Sequence, residues 1–345
     1  MPSLIDVDLA AATAARLAPA GPQLSLSEAA DVVVMLRDLT GEAEQHVRDV
    51  TGLRGVVGPA TVVDRPDWAR ANAEGFAVVL EPLGETLGKR QGRVGAAVTS
   101  RVSGVQVGTL LSWLSSKVLG QYEAFQPPGQ AGRLLLVAPN IVETERRLDV
   151  DPHDFRLWVA LHEVTHRTQF TAVDWLHDHV RSEIAALLAA SGLDDPQALV
   201  ARLKAVASGP RGGSLVELLQ TPEQRVVMDR VTAFMSLLEG HAEHVMDGVG
   251  PSVVPSVAQI RERFDERRKE RGGPMDRLLR RLLGLDLKAL QYAEGSRFVG
   301  HAVGAVGMGG FNRVWESPAQ LPTRAEIKDP AAWVTRVHGA SARPA

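Results

Sequence analysis

The sequence predicts a mainly α-helical protein with a few short β-strands. Three observations carry this prediction. Apolar residues recur at helical spacing through most of the chain. Runs rich in β-branched residues stand near residues 56–63, and a compact apolar run stands at 133–137. After residue 150 the pattern is almost wholly helical, broken by glycine and proline clusters. The 345 residues are 45% hydrophobic and 23% charged, a globular composition that can bury a sizeable core.

Residues 1–25 are rich in Ala and Pro and are expected to be loosely ordered. Residues 26–340 form one expected domain, an α/β part to about 150 and a helical part from 151. Ser27 is the expected N-cap of a first helix carrying Ala30, Val33, Val34, Leu36 and Arg37. A second short helix, 42–50, stops at Gly52. Val56 to Val63 reads as a strand, and Asp64-Arg65-Pro66-Asp67 opens a helix with proline in its first turn. Gly84 to Gly104 is rich in Gly, Arg and Lys. It is no phosphate loop, because Arg90 follows Lys89 where Ser or Thr is needed, and it reads as a mobile loop before a helix at 105–119. Arg133 to Val137 reads as a strand ended by Pro139. Breaks are expected at Gly192, 209–213, 248–255 and 272–274. Acidic residues interleave with the basic ones at 261–271, the pattern of a solvated helix face rather than a nucleic-acid stripe. Leu278, Leu279, Leu282, Leu283, Leu285, Leu287 and Leu290 read as a core face.

Composition excludes whole classes of chemistry. With no cysteine there is no disulfide framework, thiol nucleophile, thiolate zinc site or thiolate iron–sulfur cluster. The net charge of −3 gives no reason to expect nucleic acid or an anionic membrane as partner. Asp6 and Asp8 stand where a secretory leader is apolar, and the apolar runs are far shorter than the ~20 residues of a membrane span. A soluble, cytoplasmic protein is the expectation, of open oligomeric state. No GxSxG elbow occurs, and Asn312 interrupts the glycine run at 307–310 where a dinucleotide fingerprint needs glycine.

Seven of the ten histidines lie between His153 and His244, and among them stands Leu161-His162-Glu163-Val164-Thr165-His166. On a helix, residues four apart share a face, so His162 and His166 can direct two imidazoles at one ion. Glu163, about 100° round, can flank a metal-bound water without ligating. Asp151 as N-cap, Pro152 at the first position and Asp154 as capping acid support a helix here. Phe155, Trp158, Val159 and Val164 bury it.

A hydrolytic zinc site needs a third protein ligand. Ala172 stands where a third histidine six residues on would be. Asp174, His177 and His179 are near in sequence, but to ligate they need the helix to end abruptly after Phe170. The better region is Leu238-Glu239-Gly240-His241-Ala242-Glu243-His244, near the end of a helix opened by Thr221-Pro222-Glu223-Gln224. Glu239 and His241 are about 200° apart on a helix, so only one of them can ligate. Glu239 shares a face with Ala242, Glu243 and Met246, whereas His241 lies with Leu238 and Val245 on an apolar face. Glu239 is the preferred ligand and His241 the alternative, with Glu243 placed to accept from a ligand histidine. His241, His244, Arg297 and Tyr292 are candidate donors to the transition-state oxyanion. The chemistry is zinc-assisted hydrolysis of a peptide or amide, with Glu163 as base. The alternative is a non-catalytic zinc-binding or interaction protein that keeps the site for stability.

At HExxH and the later ExxAE the chain resembles a glutamate-type zincin. More closely, it is similar to the zincin-like metallopeptidase type 2 family of actinobacteria, some of whose members are labelled as associated with deazaflavin-coenzyme biosynthesis. The resemblance runs from about Thr51 to Val337. It rests on Trp68-Ala69-Arg70-Ala71-Asn72, on Lys117-Val118-Leu119-Gly120-Gln121-Tyr122, on the segments from Phe155 to His166 and from Leu238 to Asp247, on Phe311-Asn312-Arg313-Val314-Trp315 and on Leu321-Pro322-Thr323. It implies a zincin-like fold and a zinc site at His162 and His166 with Glu163 as base, and no particular substrate. Glu243 stands where the family commonly has Asp, a longer stem for the same carboxylate.

Overall fold

A computed structural model describes residues 5–88, 93–126, 130–190, 221–269 and 285–339, with the backbone alone at 81–88, 93–99, 188, 190, 265, 267–269 and 285–292. Three short strands, β1 (Thr61–Val63), β2 (Gly120–Glu123) and β3 (Arg133–Val137), form one sheet in the order β1-β3-β2. β1 runs parallel to β3 and β2 antiparallel to it, with Gln121 opposite Leu135. Alternation along β3 sends Leu134 and Leu136 into one apolar cluster and Leu135 and Val137 into another. A strand buried on both faces is why 133–137 reads as an unbroken apolar run.

Helices cover both faces. On one side pack α1 (Val7–Leu17), α3 (Arg65–Gly88) and α4 (Arg93–Ser115). On the other lie α2 (Leu26–Thr51), α5 (Ala138–Leu148) and α6 (Pro152–Ala172). The chain continues through α7 (Leu176–Ala190), α8 (Pro222–Val249), α9 (Val257–Lys269), α10 (Leu285–Phe311), two 3₁₀ turns, α11 (Arg324–Lys328) and α12 (Pro330–His338). The middle of α8 joins α7, α10 and α12 in a separate aromatic-rich cluster around Phe298, Phe311 and Trp333, while its C-terminal half packs with α2 and α6. α8 thus bridges two cores, and the candidate site lies where α6 meets it.

The N-terminal region departs from expectation, for one shared reason. Instead of a loose segment, Val7–Leu17 is a helix capped by Asp6, with Ala10, Ala11 and Ala14 buried. Instead of a loop over 84–104, α3 runs to Gly88 and α4 begins at Arg93, residues 89–92 lying outside the described residues. A Cβ on Gly104 would stand 2.8 Å from the Asp6 carbonyl oxygen, and one on Gly108 would stand 2.4 Å from that of Ala10. The alanines and glycines let two helices approach closely, a packing signature that composition shares with flexible segments.

α2 is one helix rather than two. Its capping box is Ser25 with Glu28, not Ser27, and its buried stripe is Val32, Leu36, Leu39, Ala43 and Val47, leaving Val34 56% exposed. Exposed Gly41 costs about 1 kcal/mol of helix propensity, which that stripe outweighs. The helix ends as expected at Gly52, whose φ of 68° is the left-handed cap glycine adopts without strain. The strand expected at 56–63 shortens to β1, because Gly58 N–H and C=O are taken by Glu44 and Arg167. The break at 248–255 holds, between α8 and α9. Gly192, 209–213, 272–274 and Leu278 to Leu283 lie outside the described residues, as do the side chains of Leu285, Leu287 and Leu290. No helix among the described residues is long and apolar enough to cross a membrane.

Candidate metal centre

α6 is built to be rigid. Asp151 Oδ1 accepts the Asp154 N–H at 2.9 Å, Pro152 takes the first position, and Phe155, Leu157, Val159, Ala160, Leu161 and Val164 are buried. Phe155 stacks on Phe264 of α9, and Trp158 meets the same ring at a tilt. Arg156 makes two hydrogen bonds to Glu145, at 2.9 and 2.6 Å, and Arg167 binds Glu44 and the Gly58 carbonyl. A core helix held by ion pairs at both ends fixes the two histidines on its middle turns. α8 opens on the capping box expected at Thr221 and Gln224 and crosses α10 at glycines. A Cβ on Gly240 would stand 2.2 Å from the Gly295 carbonyl carbon.

His162, His166 and Glu239 converge. The two Nε2 atoms stand 3.1 Å apart, and each is 3.7 Å from Glu239 Oε2. Tetrahedral ligands about 2.0–2.1 Å from a zinc ion lie about 3.3 Å from one another, so the three atoms fit one cation with a position left open. Two imidazoles, one carboxylate and no thiolate are donors that suit zinc. The surroundings favour positive charge. Burial works against imidazolium at His166, but the Glu239 carboxylate, with Glu163 behind it, outweighs burial and raises the ring to about 9.

Glu163 is buried and lies against the first residue of β2. A Cβ on Gly120 would be 2.6 Å from its Cγ and 2.8 Å from its Cδ. Only glycine lets the strand come this close to the carboxylate. Gln121, next along, is held by Trp68 and Asn72 of α3, which anchors β2 from its other face.

His241 stands apart. It is fully buried, its ring packs on Phe311 and Trp315, and its Nδ1 lies 3.0 Å from Gln169 Nε2. Burial, with the charges of His244 and His166, lowers it to about 3. Neither ligand nor oxyanion donor is available from that position. Glu243 also differs from expectation. Arg261 of α9 holds it at 3.0 Å, and the partner of His166 Nδ1 is Gln169 Oε1 at 2.9 Å. Arg261, expected on a solvated face, reaches back to Asp247 as well. Helix α6 continues past Phe170 to Ala172, and His177 Nε2 sits 2.8 Å from the Ala124 carbonyl, away from the trio. His244 is half-buried and lowered by burial, Arg297 is exposed, and the Tyr292 side chain lies outside the described residues. Gln169 and Gly120 are the residues sequence reasoning passed over. Gln169 had a local signal, since it follows His166 by three on one helix face, and Gly120 had none.

Two imidazoles and a carboxylate around one point, with the Glu163 carboxylate near His166, are a donor set that can hold a metal ion. The chain belongs to the zincin-like metallopeptidase family, whose sequence profile matches residues 5–334. It is also similar, at 32% identity and a TM-score of 0.68 over 97% of this chain and 99% of the other, to a crystal structure from Chloroflexus aurantiacus described as a proposed hydrolase with a novel fold. No match is found among curated proteins.

Proposed function

We propose that the protein is a zinc-dependent peptidase in which His162, His166 and Glu239 hold the ion and Glu163 is the catalytic base. The observation that carries the reading is the convergence of the two Nε2 atoms and Glu239 Oε2 beside the Glu163 carboxylate. When bound, zinc supplies Lewis-acid chemistry, making water nucleophilic at neutral pH and polarising a carbonyl. Glu163 takes the proton released in the attack on the amide and later passes it to the leaving nitrogen. Its burial beneath β2 keeps the carboxylate out of bulk water and fixed in direction. Among the described residues β2 is an edge strand of the sheet, and the main-chain groups along such an edge suit an extended peptide better than a compact amide.

The test is Glu163→Gln in protein purified without added metal, assayed on a peptide library. Hydrolysis falls by about 10²–10⁴-fold, while elemental analysis finds about one zinc per chain, as in the parent. Undiminished hydrolysis overturns the assignment of the base. Zinc-dependent melting with no turnover by the parent on any peptide makes the protein a zinc-binding module instead.

A further inference from the structure

Gln169 is fully buried and touches three groups. Its Oε1 is 2.9 Å from His166 Nδ1, and its Nε2 is 3.0 Å from both the Leu238 carbonyl oxygen and His241 Nδ1. The chemistry of these partners leaves one assignment. A main-chain carbonyl only accepts, so the amide nitrogen must face Leu238. The amide oxygen then faces His166, and since it only accepts, His166 must carry a hydrogen on Nδ1. A neutral ring with hydrogen on Nδ1 keeps its lone pair on Nε2, the atom that converges with His162 and Glu239. The second amide hydrogen goes to His241 Nδ1, which therefore accepts and carries its own hydrogen on Nε2.

That last hydrogen is the informative one. His241 Nε2 is buried and has no hydrogen-bond partner among the described residues. Phenylalanine or leucine between Phe311 and Trp315 would fill the same apolar space without a stranded N–H. A histidine kept there at that cost is explained by its other nitrogen, which takes an amide hydrogen and opposes rotation of the Gln169 side chain. A flipped amide would set Oε1 against the Leu238 oxygen and lose both donations.

We infer that Gln169, backed by His241 and the Leu238 carbonyl, is a positioning residue that holds His166 with its Nε2 lone pair aimed at the ion. Histidines that ligate metals generally give their second N–H to an outer partner. Here that partner is a neutral amide three residues on, itself oriented from α8, the same helix that supplies Glu239. One turn of α8 therefore provides a ligand at Glu239 and, through Leu238 and His241, aligns a ligand on α6. The inference rests on His166 being a ligand, as proposed above.

The experiment measures zinc affinity by chelator competition in the full chain carrying Gln169→Leu, Gln169→Glu or His241→Phe, with melting followed in parallel. Gln169→Leu keeps the volume and removes the acceptor, so zinc binds about 10–100-fold more weakly. Gln169→Glu keeps an acceptor for His166 but loses both donations, so it weakens zinc binding less than Gln169→Leu does. His241→Phe, which removes one donation, costs less again. If the residue merely fills space the order reverses, with Leu tolerated and the buried carboxylate harmful, and that order overturns the inference. Nitrogen–proton correlation spectra of the zinc-loaded parent give a reading that needs no variant to fold. A slowly exchanging Nδ1–H of His166 is expected, and a freely exchanging one counts against the role. A parent that takes up zinc as tightly as Gln169→Leu sinks this inference alone, whereas a parent that takes up none sinks the metal centre with it.

Discussion

Helix α6 carries two buried polar clusters two turns apart, and they are built on opposite principles. At its N-terminal end Arg156 and Glu145 are 9% and 4% exposed and meet in two parallel hydrogen bonds. Each charge has its complement, although both residues also line a cavity of about 450 Å³. At His162, His166 and Glu239 the donor atoms converge on a shared point instead, 3.1 to 3.7 Å apart. The first arrangement is closed and holds α5 to α6. The second has the geometry to hold a cation. Burial of charge is common to both, so burial alone does not identify a functional site. Convergence of lone pairs does.

The comparison can be broken from either end. Replacing Arg156 by Met leaves Glu145 buried without its partner and should destabilise the fold by about 3–5 kcal/mol. Zinc stoichiometry at low temperature should stay at the parental value, and a joint loss of zinc and stability would show the two clusters to be one unit. Gly120→Ala drives a methyl group into Glu163. Peptide hydrolysis should fall by up to about 100-fold, the cost of misplacing a reacting group by around 1 Å, with zinc affinity unchanged in chelator competition. Equal activity would mean that Glu163 does not depend on β2. Gly295→Ala would bring its Cβ to 1.9 Å from the Ser236 oxygen. Overpacking there should lower stability by about 1–3 kcal/mol in denaturant unfolding and weaken zinc binding, because α8 carries Glu239.

The smallest effect is expected far from the site, at Glu326 and Arg336. Burial raises the Glu326 carboxyl, but hydrogen bonds from Arg336 and Thr323 outweigh it and hold the group below its ordinary value of 4.5. A carboxylate depressed in the folded state stabilises above its unfolded pKa, and that stabilisation is lost as pH falls through the folded value. Arg336→Ala should therefore cost about 1 kcal/mol at pH 7 and progressively less below pH 4. A loss independent of pH would make the side chain's packing and its hydrogen bonds to the Ala319 and Leu321 carbonyls, not its pairing with Glu326, the stabilising part.

Some of this was legible because it is local. The HExxH face follows from helical geometry, and the caps at Asp151 and Thr221 and the stop at Gly52 depend on neighbours only a few residues away. Glu239 is favoured over His241 in the sequence because its helix face carries small and acidic residues, and in the fold the His241 ring packs on Phe311 and Trp315. The misreadings share a different cause. Ala10, Ala14, Gly104 and Gly108 look like flexible sequence until α1 and α4 are seen in contact. Glu243 looked like a partner for a ligand histidine until α9 brought Arg261 to it.

By itself, then, the sequence determined which two histidines share a face, which glutamate stands beside them, and that any zinc here is held without thiolates. Those are matters of residue type and helical period. Only the tertiary structure decided that Gly120 lies on Glu163, that Gln169 answers both His166 and His241, and that Glu239 closes the trio. Apart from Gln169 and His166, three apart on α6, these pairings join residues 43 to 77 positions apart in the chain. Contacts across such distances are set by how whole helix faces bury one another, and no local pattern encodes them.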